Sequence, residues 1–97
     1  MIRDFLKDKF STGSSYAIET FIFLYFNDDQ SFPDRVIWEN IQDRIETLGK
    51  TPERTLSTEI RKYTDNSPQH LTVSHPKLFT ITNLGETPQR FKIIENI

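Results

Sequence analysis

Apolar side chains recur along this chain with two periods, and the change from one to the other divides it. From Ile2 to Tyr63 they return every three or four residues, as on a buried helix face; from Leu71 onward they alternate, as on a strand. Ile2, Phe5, Leu6 and Phe10 predict a short N-terminal helix, broken by Ser11-Thr12-Gly13-Ser14-Ser15. Tyr16 to Phe26 is the most apolar stretch. Period alone does not separate a buried helix from a buried strand there, but its length exceeds an ordinary strand and Ser15 offers a cap, so a helix is expected. Asn27-Asp28-Asp29-Gln30 is a polar turn, and Ser31 to Arg35 is a connector with room for a minimal strand that pairs with a later sheet. From Val36 the helical period resumes, with Ile37, Trp38, Ile41, Ile45 and Leu48 on one side, Glu39, Asp43 and Glu46 on the other, and Gly49 as a left-handed stop.

The run Gly49-Lys50-Thr51-Pro52 then restarts a helix, with Thr51 as its cap and Pro52 at its first position. Leu56, Ile60 and Tyr63 form its buried stripe, and it is expected to run from Pro52 to about Thr64. Asp65-Asn66-Ser67-Pro68 is turn chemistry. Beyond it, Leu71–Ser74, Leu78–Thr82 and Arg90–Glu95 alternate, with the loop 83–89 between the last two. Three helices followed by a twisted antiparallel ribbon predict an α+β fold of winged helix-turn-helix type. It has a three-helix core, a small β-ribbon as the wing and a short extra N-terminal helix. Residues 1–12 are the extension and 13–97 the domain.

Ninety-seven residues make one domain, whose compact core must draw on eight Phe, three Tyr and one Trp. Trp38, Phe21 and Phe26 are expected to fill the wedge between the helices. The net charge of −2 divides unevenly: residues 1–49 carry five Lys/Arg against nine Asp/Glu (−4), and residues 50–97 carry seven against five (+2). With no cysteine, disulfides and Cys-based zinc sites are excluded. No apolar run reaches the length of a membrane span, and acids interrupt the start of the chain where a secretory signal would be apolar. An intracellular location is the expectation.

The helix after Pro52 is the strongest functional clue. At about 100° per residue, Arg54, Thr58 and Arg61 fall opposite its buried stripe, with Thr55, Ser57 and Lys62 flanking them. A helix that buries three apolar residues and shows cations and hydroxyls outward suits a DNA major groove. Arg54, Thr58, Arg61 and Lys62, with Lys50 and Thr55 beside them, are therefore the candidate contacts; Lys77, Arg90 and Lys92 are candidates on or near the wing. Charged helix faces and half-exposed strands look the same when they are merely solvated. His70 and His75 are too few for a zinc site, and Glu39, Asp43 and Glu46 are spaced for contacts with Arg35, Arg44 and Lys50 rather than for a metal. No nucleophile elbow and no glycine-rich phosphate loop is present, so no enzyme activity and no cofactor are expected.

The order helix, Ile-x-x-x-Ile-x-x-x-Gly-Lys-Thr-Pro, helix and ribbon ending in Phe-x-Ile resembles a HARE-type winged helix-turn-helix domain. The residues that carry it are Trp38-Glu39, Ile41 to Gly49, Thr51-Pro52 with Thr55-Leu56, and Phe91-Lys92-Ile93, within a span from about Tyr16 to Glu95. Residues 83–89 depart from that pattern, being longer than the usual short glycine turn and carrying Pro88. The resemblance implies a DNA-binding or chromatin-associated module of transcription or restriction–modification systems. A second function stands beside it: a protein-interaction adaptor, using the acidic N-terminal half and an apolar surface of Ile2, Phe5, Leu6 and Phe10 toward a partner or a second copy.

Overall fold

Three helices and a small three-stranded antiparallel sheet share one core in the computed structural model, which describes residues 15–45, 49–66 and 76–94. The expected N-terminal helix with Ile2, Phe5, Leu6 and Phe10, the alternation at Leu71–Ser74, both histidines, and Glu46 and Leu48 lie outside the described residues. The core's most deeply buried members come from all three helices and from two of the three strands: Ala17, Leu24, Ile37, Leu56, Ile60, Phe79 and Phe91. Among the described residues no helix is long and apolar enough to cross a membrane.

Helix α1 spans Ser15–Tyr25, as its apolar run predicts. Tyr16, Ala17, Thr20, Phe21 and Leu24 turn inward at helical spacing. Phe26 does not join Trp38 and Phe21 in the core: it is 72% exposed, whereas they are buried. Two residues beyond the buried Leu24 is about 200° around the helix, so Phe26 points away from the side that Leu24 occupies. Trp38 packs instead against Tyr16, their rings nearly parallel with centroids 6.2 Å apart.

The connector does contribute a strand. β1 (Phe32–Pro33) pairs antiparallel with β3 (Arg90–Ile93), placing Phe32 opposite Phe91 and Pro33 opposite Arg90. β2 (Phe79–Ile81) pairs with the other side of β3, so the order is β1-β3-β2 and Pro33 sits on an edge strand, where its missing N–H leaves no gap in the ladder. Phe91 and Ile93 face inward while Arg90 is exposed and Lys92 half-buried, as the alternation predicts.

Helix α2 (Asp34–Ile41) starts two residues earlier than its apolar period suggests and ends sooner. One 3-10 turn, Gln42–Arg44, follows it, and Ile45 is extended at φ −94° and ψ 115° yet still buried. An apolar residue every fourth position records which side chains reach the core, not which backbone delivers them. The helix that Gly49 was expected to close has therefore already ended.

Helix α3 (Pro52–Lys62) begins where predicted. Thr51 occupies the cap position without a side-chain cap bond; its carbonyl instead accepts from the Thr55 amide at 3.0 Å and the Thr55 hydroxyl at 3.2 Å. Burying Leu56 and Ile60 stabilises this packing by about 1.5–3 kcal/mol each. The far end of α3 is tied to the sheet through the backbone. The Tyr63 carbonyl accepts from the amides of Leu78 and Phe79 at 2.7 and 3.1 Å, and the Asp65 amide donates to Phe79 at 3.1 Å. Asn66 then mimics a strand edge with its side chain: Nδ2 donates to the Ile81 carbonyl at 2.9 Å and Oδ1 accepts from the Ile81 backbone amide at 3.0 Å. These bonds hold the angle between α3 and the sheet.

Candidate nucleic-acid interface

The solvent side of α3 sorts its charges. Lys50, Arg54 and Thr58 are exposed and Thr55 is half-buried. The two acids of the helix stand to either side of them. Glu53 lines an open cleft with Asp34, Ser57 and Pro88, and Glu59 holds the Lys62 ammonium at 2.6 Å. That hydrogen bond and the Glu59 charge raise the Lys62 pKa above the ordinary lysine value near 10.5. Lys62 is thus a shared cation, with a side chain 34% exposed.

Arg61 does not stand outward beside Arg54, contrary to the expectation from helical spacing. Its guanidinium turns back toward the start of α2 and the β2–β3 loop. Nη1 donates to Asp34 Oδ2 at 3.1 Å and to the Ser57 carbonyl at 2.9 Å, while Nε and Nη2 both donate to Gln89 Oε1, at 3.2 and 2.9 Å. The cation lies over the Phe91 ring, 5.0 Å from its centroid, and Ser57 Oγ donates to the same Asp34 oxygen at 2.6 Å. The physical reason is angular. Arg61 leans about 40° from Ser57 around the helix, on the flank that faces α2, and its long stem lets a fully donating guanidinium find a carboxylate and an amide oxygen there. Arg61 therefore serves as a strut between α2, α3 and the loop.

The ribbon candidates are also divided. Arg90 is exposed, but its guanidinium donates to Ser31 Oγ at 3.1 Å and to the Ser31 carbonyl at 2.7 Å, which ties β3 to the connector before β1. Lys92 is half-buried opposite Thr80 on β2, and Lys77 is exposed just before it. The β2–β3 loop is held at its base by Asn83, which donates to the Pro88 carbonyl at 2.9 Å and accepts from the Arg90 amide at 2.7 Å. At the loop's outer part Gly85 takes a positive φ of 87°, and Leu84 is 57% exposed. Residues 82–89 contain no lysine or arginine and one acid, Glu86.

Asp34, Ser57 and Gln89 were not legible as partners of Arg61. Asp34 and Gln89 are 27 and 28 positions away from it, and nothing local in the sequence marks them. The acidic side of α2 fits its solvated reading, with Arg35 pairing with Glu39 at 3.7 Å one turn on, both side chains largely exposed. No family model matches this chain, and neither does a curated protein or a solved structure.

Proposed function

We propose that this domain is a winged helix-turn-helix module that binds double-stranded DNA, presenting the outer side of α3 to the major groove. The observation that carries the reading is the sorting of charge on α3. Arg54 and Thr58 share the exposed side of the helix, the exposed Lys50 precedes it, and Glu53 and Glu59 fall to the two flanks at about 100° per residue. An acid between those groups would repel phosphate, and among the described residues of α3 none stands there. The order helix, strand, helix, helix, strand, strand, with a β1-β3-β2 sheet, is compatible with a winged helix and supports the reading further. The HARE-type resemblance extends it to a module of transcription or restriction–modification systems. Arg54 is the residue best suited to a base edge, and Lys50, Lys62 and the threonines suit phosphate and sugar. Arg61 takes no direct part; it holds the loop against the helix. A loop without lysine or arginine releases no counterions from phosphate, so the salt-dependent part of the affinity rests on α3 and its flanks.

A mobility-shift titration against random duplex tests this. Two or three phosphate contacts make affinity fall about tenfold to fortyfold between about 50 and 200 mM salt. Arg54→Ala should weaken binding and shift the melting temperature little, because an exposed side chain away from a network contributes within about 0.5 kcal/mol. Binding that ignores salt, or an Arg54→Ala protein that binds as well as the parent, would refute the proposal.

A further inference from the structure

The end of α1 carries a surface that the duplex reading does not use. Tyr25 and Phe26 are 53% and 72% exposed, their rings edge to face with centroids 5.5 Å apart. Tyr25 also stacks on the buried Phe21 at 6.0 Å, so the pair is held in place from beneath. Asp28 and Asp29 follow at once, both exposed. Helix α1 has no basic residue in its last turn, and its carbonyls at Ile22, Phe23 and Leu24 accept hydrogen bonds from Phe26 and Asn27, so the negative charge here is that of the two carboxylates.

We infer that Tyr25 and Phe26, with Asp28 and Asp29 beside them, form a docking surface for a basic amphipathic helix of a partner protein. Two observations choose that occupant. The charge is negative, which repels nucleic acid and anionic lipid and attracts lysine or arginine, and the exposed ring faces offer a cation a second attraction. The area is small. At about 200 Å² per ring, the exposed fractions leave on the order of 250 Å² of aromatic surface. A stable dimer needs roughly 800 Å² from each copy, so a second copy of this chain is a poor fit. A few anchored rings beside opposite charge suit one helix face presenting apolar residues one turn apart. Because Phe21 already orients the rings, little side-chain freedom remains to be lost on binding.

The test titrates the full chain, labelled for amide chemical shifts, with two model helical peptides, one of leucine and lysine and one of leucine and glutamate. The leucine–lysine peptide should bind and shift residues 22–30, and the leucine–glutamate peptide should bind at least about tenfold more weakly. Phe26→Ser should weaken the first peptide about tenfold or more and leave the thermal melt intact, since that ring is exposed. Asp28→Asn with Asp29→Asn should reduce both affinity and its salt dependence. Equal binding of the two peptides, no binding, or shifts mapping elsewhere overturns the inference. So does a concentration-dependent dimer abolished by Phe26→Ser, which assigns the surface to a second copy. A Phe5→Ser chain that binds the peptide more tightly also overturns it, by assigning the surface to the chain's own N-terminal segment. Phe26→Ser leaves the duplex titration unchanged, so failure here and failure of the DNA reading are told apart.

Discussion

Replacing Arg61 by alanine separates a strut from a DNA contact. The substitution removes four guanidinium hydrogen bonds, to Asp34, to the Ser57 carbonyl and twice to Gln89, together with the cation over Phe91. It leaves the Asp34 carboxylate with the Ser57 hydroxyl on one oxygen, while the other oxygen is buried without a hydrogen-bond partner. An exposed ion pair contributes about 0–1 kcal/mol, and removing one member of a buried pair costs about 3–5 kcal/mol. The Arg61 and Asp34 side chains are 24% and 28% exposed, so the cost falls between, at about 2–3 kcal/mol. For a domain of this size that lowers the melting temperature by about 10–20 °C and the urea midpoint by about 1–2 M. Asp34→Ala combined with Arg61→Ala should be less damaging than the two single losses summed, because each single change strands the other group. Arg61→Lys should recover little, since one ammonium cannot span an amide oxygen and a carboxylate in the same plane. If Arg61→Ala melts like the parent but loses duplex affinity as Arg54→Ala does, the guanidinium is free in solution and the strut is wrong.

Three further outcomes follow from particular bonds. Asn66→Ala removes both side-chain hydrogen bonds to Ile81 and should cost about 1–3 kcal/mol, with faster hydrogen exchange at the Ile81 amide; unchanged exchange there would refute it. Gly85→Ala meets no atom within 4 Å of the added Cβ, so its cost is the positive φ alone, about 1–2 kcal/mol, and a denaturation midpoint equal to the parent's would show that the loop relaxes. The Lys62 pKa is raised by Glu59, so its small contribution is complete below the ordinary lysine value. That contribution is lost as pH rises through the higher folded value, where the ammonium deprotonates. Alkaline melts of Glu59→Gln should lack that loss; the same alkaline decline in both proteins would refute the assignment.

Much of the architecture is local and therefore readable in the chain. The start of α3 at Pro52, the helix over Ser15–Tyr25 and the inward Phe91 and Ile93 all follow from spacing, because burial imposes a period on whatever it covers. Even β1 was foreseeable as a minimal strand, since Phe32 and Pro33 lie in the connector between the polar turn 27–30 and the next helix, and the residue before a proline is held extended. Residue identity also determined that a hydroxyl-rich, cationic side of α3 would exist, because Leu56 and Ile60 take the opposite side. Tertiary structure decided which of those cations remain available. Arg54 and Arg61 are seven residues apart and nearly superposed around a helix, so period cannot distinguish them. Asp34, brought in by β1 and α2, and Gln89, brought in by the sheet, draw Arg61 out of solvent and leave Arg54 in it. A side chain's direction is periodic and local; whether a carboxylate waits at the end of it depends on segments that only folding brings together.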